Sequence, residues 1–379
     1  MFAFGQLISL SGSWVQGIAL SWVAYEITNS PTTLGIVTAL SFGPVLLFGF
    51  WGGYLVDKLP KFRIIIVTHI LYSLAPLVVA YYGFIGELNI TLLYAAALAT
   101  GLLRIIDSPA RQAFRYALIP ESETKNAISI FSTTNSFARI MGPMLAGVLL
   151  NTVGPAWCFL LNGFSFWVVI AMLLSMRKEE FFIKENKKDF NTDNLLTSLK
   201  HVWQNKVVSR ALILSAVLST LFLNTQVMLP IFTKEVFSLG VITFTTMVAI
   251  YSVGCILGGL YSAQDVGIGK NKIINLSYFS ASIFLILSLP ISYHIFLVCI
   301  FVAGFANTQL TTNLNSLIVS NTENKFLGLV TSLWMMAIMG TAALGGPIMG
   351  TITEYFSVQV FTFSASIIFT FLVFFWYRK

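Results

Sequence analysis

The stretch Phe48-Gly49-Phe50-Trp51-Gly52-Gly53-Tyr54-Leu55-Val56-Asp57-Lys58-Leu59-Pro60-Lys61-Phe62-Arg63-Ile64-Ile65-Ile66 decides the fold class. A predominantly apolar run, about 34–56, stops at a charged, proline-containing turn, and a second run follows over about 62–84. Each run exceeds the roughly 20 residues that a helix needs to cross a bilayer. Neither shows the alternation of a transmembrane β-strand. Two such runs joined by a short polar turn predict a transmembrane helical hairpin.

The pattern recurs outward from this hairpin. Apolar runs lie at about 2–25, 34–56, 62–84, 88–106, 127–150, 155–176, 207–232, 241–263, 272–292, 295–318, 326–353 and 355–377. Only 10% of the 379 residues are charged while 56% are hydrophobic. A soluble chain carries about 25% charged residues, so a soluble multidomain enzyme and a disordered or fibrous chain are both excluded. The expected fold is an all-α polytopic membrane protein of about twelve helices, with the lipid bilayer as its first partner. Cys158, Cys255 and Cys299 stand far apart in apolar stretches and predict neither disulfides nor a metal cluster. No cofactor is expected. Met1 stands almost at the start of the first run, with no basic lead and no small-residue cleavage site, so no signal peptide is expected.

Of the 22 Lys and Arg residues, all but Lys234, Arg104 and Arg139 fall in the even-to-odd connections, the central segment or the C-terminal tail. Basic residues collect on the cytoplasmic side. Both termini and the central loop are therefore expected there, in a bacterial cytoplasmic membrane. The net charge of +7 follows from this bias. It does not imply nucleic-acid binding, since no basic stripe with interleaved aromatics lies on a soluble face. The polar stretch 177–206 divides the chain into two six-helix bundles, 1–176 and 207–379. Gly52-Gly53 matches Gly258-Gly259, and Gly142-Pro143 with Gly147 matches Gly346-Pro347 with Gly350, at nearly equal offsets. Paired halves of this kind are a transporter construction.

Polar residues within spans must face a cavity or a neighbouring helix. The first span carries Gln6, Ser9, Ser13 and Gln16, the seventh Asn224 and Gln226, and the tenth Asn307, Thr311 and Asn315, with Thr308, Gln309 and Thr312 beside them. These stripes are candidates for the transport path, and interhelical hydrogen bonding is the alternative. Trp14, Trp22, Phe131 and Trp334 are candidate aromatic walls, Trp22 alternatively an interfacial anchor. Arg139, near the middle of the fifth span, fits either a structural ion pair or contact with an anionic substrate. Arg104 has Asp107 three residues on, a spacing that favours a local pair. His69 reads as a satisfied core histidine. No acid stands at the middle of a span; Glu26, Glu87, Glu235 and Glu354 lie at span ends. The chain has no Gly-x4-Gly-Lys loop, no His-Glu-x-x-His and no Gly-x-Ser-x-Gly. An enzyme is not expected, and transport would run on gradients.

The turn from Gly53 through Asp57, Lys58 and Lys61 to Arg63 resembles the signature of the major facilitator superfamily, with Lys58 and Pro60 where that signature has Arg and Gly. A carboxylate there can cap the positive N-terminus of a nearby helix. The resemblance implies that this helix is the eleventh span, and that the contact latches the outward-facing form. The second-half copy, Gly259 to Lys272, keeps only Asp265, Lys270 and Lys272. The stretch Gly101 to Phe114, with Arg104, Asp107 and Arg111, is similar to the drug-and-siderophore exporter branch, to which the enterobactin exporter and macrolide efflux pumps belong. So are Phe137 to Gly147, Gly5 to Ser9 and Tyr25 to Pro31. The Gly142-Pro143 element resembles that superfamily's antiporter motif. By this resemblance the stripes line a central substrate cavity. Gly53, Asp57, Lys58, Lys61, Arg63, Arg104, Asp107 and Arg111 form a cytoplasmic gate. Gly142, Pro143, Gly147, Gly346, Pro347 and Gly350 bend helices. The implied function is proton-coupled efflux of a siderophore or other bulky polar or anionic small molecule, by a monomer. Macrolide or multidrug efflux, or lysophospholipid flipping, is the alternative.

Overall fold

The computed structural model describes residues 2–118, 123–176, 195–264, 269–323 and 326–378. Gly53, Asp57 and Lys58 lie in α2, but the surroundings of Gly53 and the side chains of Asp57 and Lys58 lie outside the described residues. So do most of the central loop, Asp265 and Lys325. Among the described residues there is no strand. The helices are α1 (Phe2–Thr28), α2 (Pro31–Lys58), α3 (Lys61–Phe84), α4 (Ile90–Ala117), α5 (Thr124–Thr152) and α6 (Pro155–Ser175), then α7 (Leu195–Gln204), α8 (Lys206–Phe222) and α9 (Thr225–Ile231). They continue with α10 (Val241–Gln264), α11 (Lys270–Leu287), α12 (Tyr293–Ser320), α13 (Leu327–Met335), α14 (Ala342–Tyr355) and α15 (Val358–Arg378). One π-helical turn, Phe232–Val236, continues α9, and another, Met336–Gly340, lies between α13 and α14.

Ten stretches combine the length and apolarity of a membrane span, with α8–α9 and α13–α14 each counting as one. The others are α5, 29 residues, and α11, 18 residues. α5 is polar across Ser132–Ser136 and at Arg139, and α11 opens on Lys270-Asn271-Lys272. The chain is thus the all-helical, polytopic membrane protein that its hydropathy predicts. α4 runs well past the expected end near residue 106. Asp107, Ala110 and Phe114 recur at helical spacing and are buried, which gives that last stretch a packed face.

Residues 1–29, 47–190 and 241–246 form one compact unit; residues 30–46, 191–240 and 247–379 form the other. In the first, α1 packs on α5 and α6, and α3 on α4 and α6. Val56, Ile65, Ala110, Phe114 and Leu173 form one buried apolar cluster there. In the second, α11 packs on α12 and α15, and α8 on α12. Phe222 stacks on Phe284, ring centroids 4.0 Å apart, and lies 4.9 Å from Phe369, tying α8, α11 and α15 together. Such ring pairs contribute about 0.5–1.5 kcal/mol each beyond their buried area.

The internal repeat recurs in the packing. A Cβ at Gly52 of α2 would strike the Ile105 carbonyl of α4, and one at Gly258 of α10 would strike the Phe305 carbonyl of α12. Small residues at these positions let helix backbones approach, as membrane helices require. Apart from the repeat, Gly142 of α5 presses on Trp14 of α1 and Gly147 on Thr245 of α10, while Gly345 of α14 presses on the Thr220 carbonyl of α8 and Gly346 on Thr38 of α2.

Candidate transport site

Within the first unit, α5 places Arg139 against α1. Gly142 follows Arg139 by three residues, on the same helical face. With no side chain there, the Trp14 Cβ settles directly on the α5 backbone. The Trp14 ring then lies beneath the Arg139 guanidinium, 5.6 Å from the ring centroid. Both residues are half-buried, while Ser13 on α1 and Ser132 and Asn135 on α5 are exposed. Polar side chains exposed along a span belong on a wet wall rather than in lipid. Ser132 and Asn135 did not stand out in the sequence, although they lie two turns and one turn before Arg139.

The rest of the α1 stripe is spent differently. Gln6 and Ser9 are fully buried, and their side-chain polar atoms have no hydrogen-bond partner among the described residues. The Asn162 amide of α6 donates to the Gln16 carbonyl oxygen. Gly12, between them, is pressed against Asn162 and Ser165. Gln16 and Gly12 therefore face α6. Ser13 donates to the Ser9 carbonyl at 2.8 Å. Trp22 is not an interfacial anchor: it is 3% exposed and stacks on Phe244 with centroids 5.5 Å apart. Phe131 lies 5.0 Å beneath the Arg115 guanidinium.

Asp107 is fully buried between α3 and α4. Its carboxylate accepts from Thr68 Oγ1 at 2.8 Å and pairs with Arg111 Nε at 2.7 Å. A close ion pair thus forms with Arg111, one turn on; Arg104 hydrogen-bonds the Tyr72 hydroxyl. His69 Nδ1 lies 3.5 Å from the carboxylate. His69 is fully buried, as a core histidine is expected to be. Its ring sits edge-on to Tyr72 and Phe166. Lys61 is half-buried and Arg63 exposed.

In the second unit, Asn224 is 4% exposed and donates from Nδ2 to the Ser219 and Thr220 carbonyls, 3.1 Å each. It satisfies acceptors freed where α8 ends before α9 begins. Gln226 is half-buried. On α12, Asn307 is 1% exposed and its amide has no partner among the described residues. Thr311 and Asn315 are half-buried, Thr312 is exposed, and Thr311 donates to the Asn307 carbonyl at 2.9 Å. The Trp334 indole N–H is unpartnered among the described residues. Pro143 and Pro347 lie inside helices that continue through them. No group of metal-binding side chains occurs among the described residues.

Residues 2–378 match the family described as transmembrane secretion effector. The chain is 26% identical to the staphyloferrin A transporter of Staphylococcus aureus (strain NCTC 8325 / PS 47), over 93% of this chain and 88% of that protein. It is 20% identical to the enterobactin exporter EntS of Salmonella typhi, over 91% of this chain and 83% of that protein. Among solved structures, the inward-facing, unoccupied bacterial homologue of the human lysosomal transporter Spinster superimposes with a TM-score of 0.80 at 12% identity, covering 100% of this chain and 96% of that one.

Proposed function

Because the chain belongs to the transmembrane secretion effector family of major facilitator transporters, and so is a transporter and not an enzyme, we propose that it exports a bulky, oxygen-rich anionic molecule of the siderophore class. Arg139, held over Trp14 on a wall with Ser13, Ser132 and Asn135, is the observation that carries the reading. A cation near the middle of a span is expensive and is retained where it meets charge. The guanidinium attracts carboxylate or catecholate oxygens, and the indole covers an apolar ring or backbone.

The proposed mechanism is alternating access by the halves 1–176 and 207–379, with both termini cytoplasmic and the protein in a bacterial cytoplasmic membrane. A proton gradient supplies the drive, consistent with the absence of an ATP-binding loop in the sequence. The names of the relatives, a staphyloferrin A transporter and an enterobactin exporter, support the substrate class. The test is release of staphyloferrin A, enterobactin and a neutral macrolide from loaded cells that lack their own exporters, with and without a protonophore. Siderophore release that stops with the protonophore is expected. Release of the macrolide alone would replace the anionic reading with drug efflux.

A further inference from the structure

Glu354 ends α14, and its own helix gives it no reason to be there. A carboxylate in the last turn faces the negative end of the helix dipole. Its partners lie instead at the start of α2. Ser30 Oγ donates to Glu354 Oε2 at 2.6 Å, and the Thr32 backbone N–H donates to the same oxygen at 3.0 Å. Thr32 is the second residue of α2, so its N–H is one of the four that a helix leaves unsatisfied. Ser30, immediately before α2, gives its hydroxyl hydrogen to Glu354. α14 thus supplies the N-cap of α2.

The two helices lie close along the contact that leads to this cap. A Cβ at Gly35 would come within 2.6 Å of the Gly346 carbonyl, one at Gly346 within 2.7 Å of Thr38, and one at Gly350 within 2.5 Å of the Pro31 carbonyl. Gly340 meets Leu46 in the same way at the other end. The pairing runs antiparallel, and α2 changes compact unit just beyond it, at Leu47.

We propose that Glu354 is a gate residue: its bond to the N-terminus of α2 locks the Pro31 end of this helix pair shut. The proposal rests on the alternating-access reading, in which α2 and α14 belong to different halves. The gate that the sequence resemblance implies at Asp57 would lie at the other end of α2. The position equivalent to Glu354 in the first half is Leu150.

The test places spin labels at Ile36→Cys and Ile348→Cys, both exposed on the described helices, in full-length protein whose three cysteines have been replaced, reconstituted in liposomes. Distance distributions are compared for this parent, Glu354→Gln, Ser30→Ala and Asp57→Asn. Glu354→Gln should lower the ratio of the short to the long population by about threefold to thirtyfold, the range spanned by helix caps and dipole contacts. Ser30→Ala should move it the same way by less, and Asp57→Asn the opposite way. An unchanged distribution in Glu354→Gln would overturn the lock. Siderophore release from cells is measured in parallel on the parent. Failure there, with the distances still shifting, would refute the substrate reading and leave the lock standing.

Discussion

Asp107→Asn is the most discriminating change in the described interior. The carboxylate is fully buried, with Thr68 Oγ1 at 2.8 Å, Arg111 Nε at 2.7 Å and His69 Nδ1 at 3.5 Å. Asparagine keeps the shape and removes the charge. The Arg111 guanidinium is left opposite a neutral amide whose nitrogen is itself a donor. Removing one partner of a buried pair costs about 3–5 kcal/mol, because the other charge stays behind uncompensated. Arg111 retains 20% side-chain exposure and can turn partly toward water, which places the expected loss at about 3 kcal/mol, the low end of that range. The assay is thermal unfolding in detergent at fixed heating rate, since membrane proteins unfold irreversibly and only matched scans compare. The double variant Asp107→Asn/Arg111→Gln removes both charges and should recover more than half of the lost stability. Neighbours in one network couple by about 0.5–3 kcal/mol. An Asp107→Asn protein that melts with the parent, or a double variant whose losses simply add, would refute the reasoning.

Asn162→Ala should lower the melting temperature by leaving Gln16 unpaired inside the α1–α6 contact, at a cost of about 0.6–1.7 kcal/mol, the range found for hydrogen bonds between membrane helices; siderophore release should persist in the surviving protein. Gly142→Ala forces the Trp14 Cβ off α5 and pulls the ring from beneath Arg139. Overpacking of this kind costs about 1–3 kcal/mol, and Trp14 fluorescence in a variant lacking the other tryptophans should respond.

Hydropathy carried the spans because lipid satisfies no backbone group, so long apolar helices are nearly the only solution. The glycine repeat was readable for a related reason: close helix approach tolerates little else, and Gly52 presses on a carbonyl of α4 as Gly258 does on one of α12. The direction of a polar face was not readable. Gln16 and Ser13 both obey the rule that polar groups avoid lipid, but one bonds Asn162, far along the chain, and the other is exposed. Asp107 has a cation within reach on either side along α4, and the sequence does not show that Thr68 and His69 of α3 also meet its carboxylate. Glu354 did leave a signal. An acid at the wrong end of a helix dipole calls for a partner elsewhere, and the sequence does not say that the partner is the start of α2.

The most direct test of the central claim is the rate of staphyloferrin A release from loaded cells carrying the parent, Arg139→Lys or Arg139→Ala, each at matched membrane abundance. Recognition of an anion by the Arg139 guanidinium predicts release by the parent, reduced release with lysine, and none above background with alanine. Release by Arg139→Ala at the parent's rate would remove Arg139 from substrate recognition and leave it a structural partner of Trp14.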